Sequence, residues 1–326
     1  MFAFVLSRIL QAIPVLLSVG LIAFAMFTYI GDPLSALLGQ DATEAQRIAM
    51  VHLLGLDQPF YVQYVHFIWR ALHGDFGLSY RIARPVAELL LERLPATIEL
   101  VLTSALLAIA IGVPLGVYTG INRHSPVSRG VLIFSLVGVS LPTFLIGILL
   151  ILVFAVLLGW LPSFGRGDVV HFSHWSTGFL TVSGLKALIL PAITLSLFQT
   201  TLIMRLVRAE MMEVLRSDYI KFARARGLSR RSVNFGHALK NTLVPVITII
   251  GLQIGGLLGF SLITETVFQW PGMGLLLVQS IAVADIPVMS AYLLLIAFVF
   301  VLINLAVDLL YYQVDPRLRL RGVGAK

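Results

Sequence analysis

Few side chains in this sequence combine the types and the spacing that catalysis or metal binding requires. The chain has no cysteine, which excludes thiolate metal ligands and disulfide bonds. His171 and His174 have a ligand-like spacing, but Asp168 is the one carboxylate beside them, and a solvated loop surface accounts for such a pair. Serine and threonine are scattered through apolar stretches, where their hydroxyls commonly bond to helix carbonyls. We therefore expect no catalytic residue and no metal site.

The sequence also lacks a nucleotide-binding loop. ATPases cradle phosphate with the pattern G-x-x-x-x-G-K-[ST], and no Gly-Lys pair occurs anywhere in the 326 residues. We expect this chain to bind no cofactor and to hydrolyse no ATP. Any ATP-driven work would have to come from a partner.

The composition is that of a membrane protein. Only 12% of the residues are charged, against about 25% in soluble domains, while 58% are hydrophobic and the mean hydropathy is +0.95. A soluble chain of this kind would have too little polar surface to stay dissolved. The net charge of +7 would indicate a nucleic-acid partner in a soluble protein. In a membrane protein it is typical of basic cytoplasmic loops, so we expect no nucleic-acid binding.

Six uncharged stretches are long enough to cross a bilayer as helices, because a hydrocarbon core of about 30 Å needs about 20 apolar residues. They cover residues 9–30, 100–122, 130–165, 187–204, 241–264 and 286–307. The first is too long for the apolar core of a signal peptide, and we expect it to be retained. The third would hold two spans if the chain turned at Gly138 or at 140–142, but one kinked helix followed by an apolar loop is favoured. The sequence predicts an all-α membrane protein with about six transmembrane helices.

The distribution of basic residues predicts the orientation. With an internal N-terminus, the cytoplasmic segments hold 15 lysines and arginines and the opposite side holds 7. Those segments are 1–8, 123–129, 208–240 and 313–326. The positive-inside rule then places both termini in the cytoplasm. The predicted parts are a first transmembrane helix (1–30), an external helical segment (31–96), a core with five transmembrane helices (97–312) and a basic cytoplasmic tail (313–326).

The external segment 31–96 contains two helix patterns. Thr43 and Gln46 have the spacing of a capping box, and Gly55 is expected to end the helix that they begin. Apolar residues then recur at helical spacing between Pro59 and Leu72. This segment is too small for a solid core of its own. It either lies on the membrane surface or docks a soluble partner, and the sequence leaves both alternatives open.

The segment 208–240 is polar and basic, and it is patterned as two helices with a glycine break. Ser217 or Asp218 can cap the first helix, Gly227 ends it, and Ser229 can cap the second. On the first helix four residues share one face by their spacing, namely Tyr219, Phe222, Ala223 and Arg226. An aromatic residue surrounded by cations suits insertion into a groove of another protein. An amphipathic helix resting on anionic lipid fits the same pattern.

Two glycine stripes fall within predicted spans. They are Gly112, Gly116 and Gly120 in the second span, and Gly251, Gly255 and Gly259 in the fifth. Glycine at every fourth position lets helices approach closely. Packing inside this chain is favoured, and a seam with a second subunit is the alternative.

Three polar residues are candidates for a translocation path or gate: Gln199 and Gln253 in mid-span, and Glu265 at a span end. A proton-coupled carrier would be the main alternative class, and it would place titratable groups deep in the bilayer. The glutamines cannot titrate, and the predicted spans carry their charged residues near their ends. A structural role is favoured for Glu265.

The motifs as a set resemble one family, the permeases of ABC importers, and within it the dipeptide/oligopeptide class. The resemblance covers nearly the whole chain in order. It is carried by Gly31-Asp32-Pro33, Leu54-Gly55-Leu56-Asp57-Gln58-Pro59, Gly74-Asp75-Phe76-Gly77, the run from Asp218 through Tyr219, Lys221, Phe222, Ala223, Arg224 and Arg226 to Gly227, then Glu265 to Gly274 and Asp315-Pro316-Arg317. The broader family has Glu-Ala-Ala where this chain has Lys221, Phe222 and Ala223. Only Ala223 and Gly227 fit that pattern, so Gly227 and the helix break are expected to carry the coupling.

The resemblance implies a type I ABC importer permease fold in the bacterial inner membrane. It implies a second homologous permease, two cytoplasmic ATPases that hold ATP and Mg, and an external substrate-binding protein. Each ATPase would receive the loop at 218–227 from one permease. Peptides are the implied cargo, and related permeases carry nickel, glutathione or oligosaccharides.

Overall fold

The fold is mainly helical, as predicted. The computed structural model describes residues 2–29, 43–54, 57–173 and 175–314. Its α-helices are α1 (Phe2–Tyr29), α2 (Glu44–Leu54), α3 (Phe60–Leu72), α4 (Val86–Ile121), α5 (Pro126–Ser140), α6 (Thr143–Leu150), α7 (Val182–Val214), α8 (Asp218–Ala225), α9 (Leu239–Val267), α10 (Met273–Ala282) and α11 (Ile286–Val314). π-helical turns extend α6 over Ile151–Leu157 and precede α9 over Ser232–Ala238. A short ribbon of β1 (Val170–Phe172) and β2 (Trp175–Thr177) is an addition that the sequence reasoning missed.

Within the described residues, five helices are long and apolar enough to cross a membrane. They are α1, α4, α7, α9 and α11. The predicted third span is a pair, α5 and the extended α6, bent by 107° between Ser140 and Thr143. Pro142 causes the break, because it lacks an N–H and disfavours helical backbone at the residue before it. Counting the bent pair as one span confirms the predicted six.

Helix α4 begins at Val86, well before the uncharged stretch that starts at residue 100. Its first turns carry charge, and Arg84 bonds to Glu88 and Glu92 along one side of the helix. The predicted boundary between 96 and 97 therefore lies inside a continuous helix. Apolar length locates the span but does not show where the helix starts.

The chain folds into two compact units. The first comprises Met1–Ala96, His171–Ser176 and Pro271–Val301, and the second comprises Thr97–Val170, Thr177–Trp270 and Leu302–Lys326, in each case within the described ranges. Helices α4 and α11 contribute residues to both.

In the first unit, α3 packs on α1. Phe24 of α1 contacts the rings of Phe60, Tyr64 and Phe67 at centroid distances of 5.1–5.7 Å. The Tyr64 hydroxyl donates to the Leu17 carbonyl at 2.7 Å. One side of α3 is thus packed against this chain's first span. Tyr61, Val65 and Trp69 on the rest of the helix are 60–70% exposed, so the membrane surface and a docked partner both stay predictions for this segment.

Two further contacts define this unit. The Thr43–Gln46 capping box is confirmed, because the Gln46 side chain accepts from the Thr43 amide and the Gln46 amide donates to the Thr43 hydroxyl. Gly55 lies outside the described residues.

Asp285 is buried before α11 and accepts from the Ser79 hydroxyl at 2.5 Å and from the Tyr80 amide at 3.2 Å. This carboxylate fixes the turn that precedes α4.

In the second unit, α4 and α7 pack side by side. Their buried core includes Val117, Val207 and Met211, and it continues into Ile220 of α8 and Val233 of the π-helical turn. The unit therefore has one apolar core from the membrane-spanning helices to α8.

Candidate functional site

The loop at 218–227 is held by two apolar residues. Ile220 is fully buried and Ala223 nearly so, and both belong to the core that contains Val207 and Met211 of α7. Ser217 occupies the N-cap position, but its hydroxyl donates to the Val214 carbonyl at 2.7 Å and does not cap the helix. Burial of the Ile220 and Ala223 side chains fixes α8 against α7.

Gly227 ends α8, as the sequence predicted, and its backbone is in the left-handed conformation. Its φ is +80°. The Gly227 amide donates to the Arg224 carbonyl at 2.9 Å and the Leu228 amide to the Ala223 carbonyl at 3.4 Å, the two bonds of a Schellman motif. The Ser229 hydroxyl then accepts from the Ser232 amide at 3.3 Å and starts the next helix, which confirms that cap.

The exposed side of α8 carries an aromatic residue among cations. The Phe222 side chain is 65% exposed, and the Arg226 guanidinium carbon lies 5.9 Å from the centre of its ring. Lys221 bonds to Asp218 at 2.8 Å, and Arg224 is exposed. A protruding ring with a stacked guanidinium can enter an apolar pocket that has a polar rim.

The predicted single face of α8 divides in two. Ala223 points into the core while Phe222 and Arg226 point outward, so Ala223 does not share their surface. The residue that the spacing missed as an anchor is Ile220. The smaller Ile220 is buried while the larger Phe222 is exposed, so neither side-chain size nor the spacing of the four residues reveals which apolar side chain anchors the helix.

Tyr219 joins α8 to the following helix. Its ring meets the His237 ring edge-on at 6.2 Å, and its hydroxyl contacts Asn241. Burial raises the pKa of Tyr219, and the contact with Asn241 lowers it by a smaller amount. The phenol therefore stays neutral at physiological pH. Its contacts with His237 and Asn241 connect α8 to the following helical segments beside the exposed Phe222.

The first glycine stripe lies against α7. A methyl group on Gly112 would meet Ile203 at 3.0 Å, and one on Gly116 would meet the Val207 side chain at 2.6 Å and the Met204 carbonyl oxygen at 2.7 Å. Gly120 faces Met211 in the same way. The glycines let the two backbones approach closely.

The second stripe is not uniform. A methyl group on Gly251 would collide with Val307 of α11, and Gly255 is buried. Gly259 is exposed and faces open space within the described part of the chain. Packing inside this chain therefore does not explain Gly259, and the alternative of a seam with a second subunit stays a prediction.

Gln199 of α7 and Gln253 of α9 are brought together. The Gln199 amide nitrogen donates to the Gln253 carbonyl at 2.9 Å and lies 3.4 Å from its side-chain oxygen. Gln199 is only 2% exposed, and its own side-chain oxygen has no hydrogen-bond donor among the described residues. In this conformation the pair connects two helices, and its role in a path stays a prediction.

Glu265 lies away from that pair, at the end of α9. It is fully buried and accepts from the Thr97 hydroxyl of α4 at 2.7 Å. Its backbone carbonyl accepts from the Trp270 amide at 2.9 Å. The side chain connects α9 to α4 and is closed to solvent here, and its role in a translocation path or gate stays a prediction.

The structure contains a buried ion pair between Arg166 and Glu99 that the sequence did not predict. Arg166 lies in the loop after α6, and its guanidinium donates to the Glu99 carboxylate of α4 at 2.6 and 3.0 Å. The Gly178 amide donates to the other Glu99 oxygen at 3.1 Å. The signal was available, since charges beside apolar spans need partners, but sequence separation conceals which charges meet.

No metal-binding cluster of three histidine, aspartate or glutamate residues occurs in the ranges that the structure describes. His174 lies outside those ranges.

Comparison with known proteins identifies the family. The family described as binding-protein-dependent transport system inner membrane component matches residues 112–320, and its N-terminal companion matches residues 1–101. A di/tripeptide transport system permease protein, DppB, of Pseudomonas aeruginosa is 39% identical over 98% of this chain and 99% of its own length. The dipeptide transport system permease protein DppB of Escherichia coli is 38% identical over the same shares.

A solved structure has the same fold. It is the MetNI methionine ABC transporter in an inward-facing conformation, with a TM-score of 0.55, 20% identity, and coverage of 70% of this chain and 96% of the matched one. That likeness supports the type I ABC permease fold. The chain is a multi-pass inner-membrane protein, and it belongs to the family of inner-membrane permease components of binding-protein-dependent ABC importers.

Proposed function

We propose that this chain is one of two permeases that form the path of an ATP-driven importer for peptides of two or three residues. The relatives described above are named for di- and tripeptide or dipeptide transport, and they align with nearly the whole chain. Similarity over the full length makes a shared cargo class the simplest expectation.

The proposed partners are a second homologous permease, two cytoplasmic ATPases and an external binding protein. ATP and Mg belong to the ATPases, since this sequence has no phosphate loop. The excess of basic residues in 1–8, 123–129, 208–240 and 313–326 supports cytoplasmic termini and a cytoplasmic α8.

The single observation that carries the coupling role is the exposure of Phe222 on an otherwise anchored helix. An aromatic side chain that is 65% exposed beside a guanidinium is well suited to a pocket of a partner. We infer that it enters a groove of the ATPase.

The anchoring of α8 gives that contact a mechanical consequence. Because Ile220 and Ala223 share a core with Val207 and Met211, a displacement of α8 moves α7 with it. Closure of the ATPases on ATP would draw the two permease loops together and open the path outward, and hydrolysis would reverse the movement.

Reconstitution tests the function. Liposomes containing this chain, its second permease and both ATPases, supplied with the binding protein and internal ATP, should accumulate a labelled dipeptide. The chain alone should show no ATP hydrolysis. Uptake of nickel, glutathione or an oligosaccharide in place of dipeptide would overturn the cargo.

Phe222→Ala tests the contact. It should reduce the amount of ATPase that co-purifies with the permeases, because the ring supplies the apolar contact. Tyr61→Ala is the matched control, since Tyr61 of α3 is similarly exposed but lies outside the loop. Equal ATPase recovery from both variants would refute the proposed contact.

A further inference from the structure

A pocket of about 580 Å³ lies between α4 and the π-helical turn with the start of α9. Its walls are mainly apolar, with Val113, Val117 and Ile121 on one side and Phe235 and Leu239 on the other. The volume is within the range of about 300–1,000 Å³ that ligand pockets occupy. It opens to the surface, because Tyr118 and Phe235 are exposed.

The pocket lies where apolar helix gives way to polar chain. On the α4 side the helix ends at Ile121, and the lining continues with Asn122. On the other side Asn234 and Leu239 precede the apolar span of α9, which begins at Pro245. The pocket therefore has an apolar interior and an amide edge at the depth of the membrane interface.

The π-helical turn helps to form the wall. Its wider winding over Ser232–Ala238 includes both Asn234 and Phe235. π-helical turns are rare and occur often at functional sites. A regular α-helical turn would change the positions of these two side chains relative to each other.

The electrostatic setting is one-sided. Both lining segments come from stretches without aspartate or glutamate, namely 100–167 and 219–264. Arg123 follows the lining residue Asn122, Lys240 follows Leu239, and Arg231 precedes Asn234 by less than one turn. All three cations are exposed, and none is paired with a carboxylate in the described part of the chain.

We propose that this pocket binds an anionic phospholipid. One acyl chain occupies the apolar interior, the Asn122 and Asn234 amides bond to the ester region, and Arg123, Arg231 and Lys240 attract the phosphate. A neutral lipid would gain only the apolar contact, whereas each cation near the headgroup adds about 1 kcal/mol for an anionic one. The Tyr219–His237 contact adjoins the π-helical turn, so an occupied pocket would also support α8.

Photocrosslinking in the assembled importer tests this. A benzophenone amino acid replaces Tyr118 in complexes held in bilayers of equal phosphatidylglycerol and phosphatidylcholine, and mass spectrometry identifies the adducts. We expect phosphatidylglycerol adducts to exceed phosphatidylcholine adducts by about five-fold or more, the ratio that about 1 kcal/mol produces. The triple variant Arg123→Gln, Arg231→Gln and Lys240→Gln should bring the ratio close to one.

Leu106 is the matched control position, because it is exposed on the same helix but does not line the pocket. The same probe there should report the bulk ratio. A second probe at Phe235, on the opposite wall, should reproduce the enrichment and serves if the Tyr118 variant fails to assemble. Equal ratios at Tyr118 and Leu106 would overturn the proposal. So would adducts with a second permease or an ATPase, which would show that a protein fills the pocket.

Discussion

Charged residues are buried and paired in one region of the second unit and exposed to solvent in another, and these two regions are called its two ends. At one end Glu99 and Arg166 form an ion pair whose side chains are only 3% and 6% exposed. At the other end Lys221, Arg224 and Arg226 lie on α8 in contact with solvent. The first arrangement fixes a loop to α4, and the second presents a surface.

The difference follows from solvation. A buried charge is expensive unless a counterion and hydrogen bonds replace its water, so its partner has to be supplied inside the fold. An exposed charge keeps its water and gains little from a partner. Buried charges therefore reveal which segments are joined, whereas exposed ones reveal where another molecule can bind.

Glu99→Gln should produce the largest effect. Glutamine can still accept from the Gly178 amide, but Arg166 loses its buried countercharge. Removal of one partner from such a pair costs about 3–5 kcal/mol, and we expect a matching fall in the free energy of unfolding in detergent. Asp218→Asn is the control, since its pair with Lys221 is exposed and should contribute less than about 1 kcal/mol.

The double variant Glu99→Leu with Arg166→Met separates charge from contact. Buried pairs replaced by apolar residues of similar size are often neutral or stabilising, so most of the lost stability should return. If Glu99→Gln alone cost less than 1 kcal/mol, the ion pair would not be an anchor.

Much of this fold could be predicted from the sequence because membrane helices obey local rules. Uncharged length gave the spans, and the break at 140–142 was one of two candidate positions. Gly227 was readable because few other residues accept a φ of +80°. Each of these features depends on residues close together in the chain.

The features that escaped prediction depend on distant residues. Glu99 is bonded to Arg166 and Gly178, and Ser79 is bonded to Asp285. Composition showed that such charges needed partners but not which ones. The packing of one side of α3 against α1 likewise depends on tertiary packing that periodicity does not encode.

Gly116→Ala tests the close packing of α4 on α7. The added methyl would lie 2.7 Å from the Met204 carbonyl, which cannot move without moving α7. Overpacking of this kind costs about 1–3 kcal/mol, and thermal unfolding should show it. Gly259→Ala is the contrast, because no atom of the described residues lies within 4 Å of a methyl group added there. A loss of permease pairing in that variant, with normal stability of the single chain, would support the intersubunit seam.

Gly227→Val tests the loop at the other end. A Cβ atom at this position would have no described atom within 4 Å, so the main cost comes from the left-handed backbone, roughly 1–2 kcal/mol. We expect normal insertion and a fall in dipeptide transported per ATP hydrolysed. Gly130→Val is the control, since that exposed glycine lies in α5 without a positive φ, and no described atom lies within 4 Å of an added methyl carbon. Unchanged coupling in Gly227→Val would mean that the helix break is not the coupling element.

The smallest effect should come from an exposed pair outside the spans. The hydrogen bond from Arg70 lowers the pKa of Asp75, with further help from the Gly77 amide and the Arg70 charge against the opposing effect of burial. A carboxyl with a lowered folded pKa stabilises the fold above its unfolded pKa of about 3.9, and the contribution is lost as pH falls through the folded pKa. The Arg70 and Asp75 side chains are about half exposed, so their pair should contribute less than about 1 kcal/mol to the free energy of unfolding. The difference in stability between the native chain and Asp75→Asn should be small at pH 7 and vanish once the pH is below the folded pKa of Asp75, where the aspartate and the asparagine are both uncharged. A difference that persisted in acid would mean that Asp75 stabilises the fold through its packing and not through its charge. The difference between this exposed pair and the buried Glu99–Arg166 pair would then not be electrostatic.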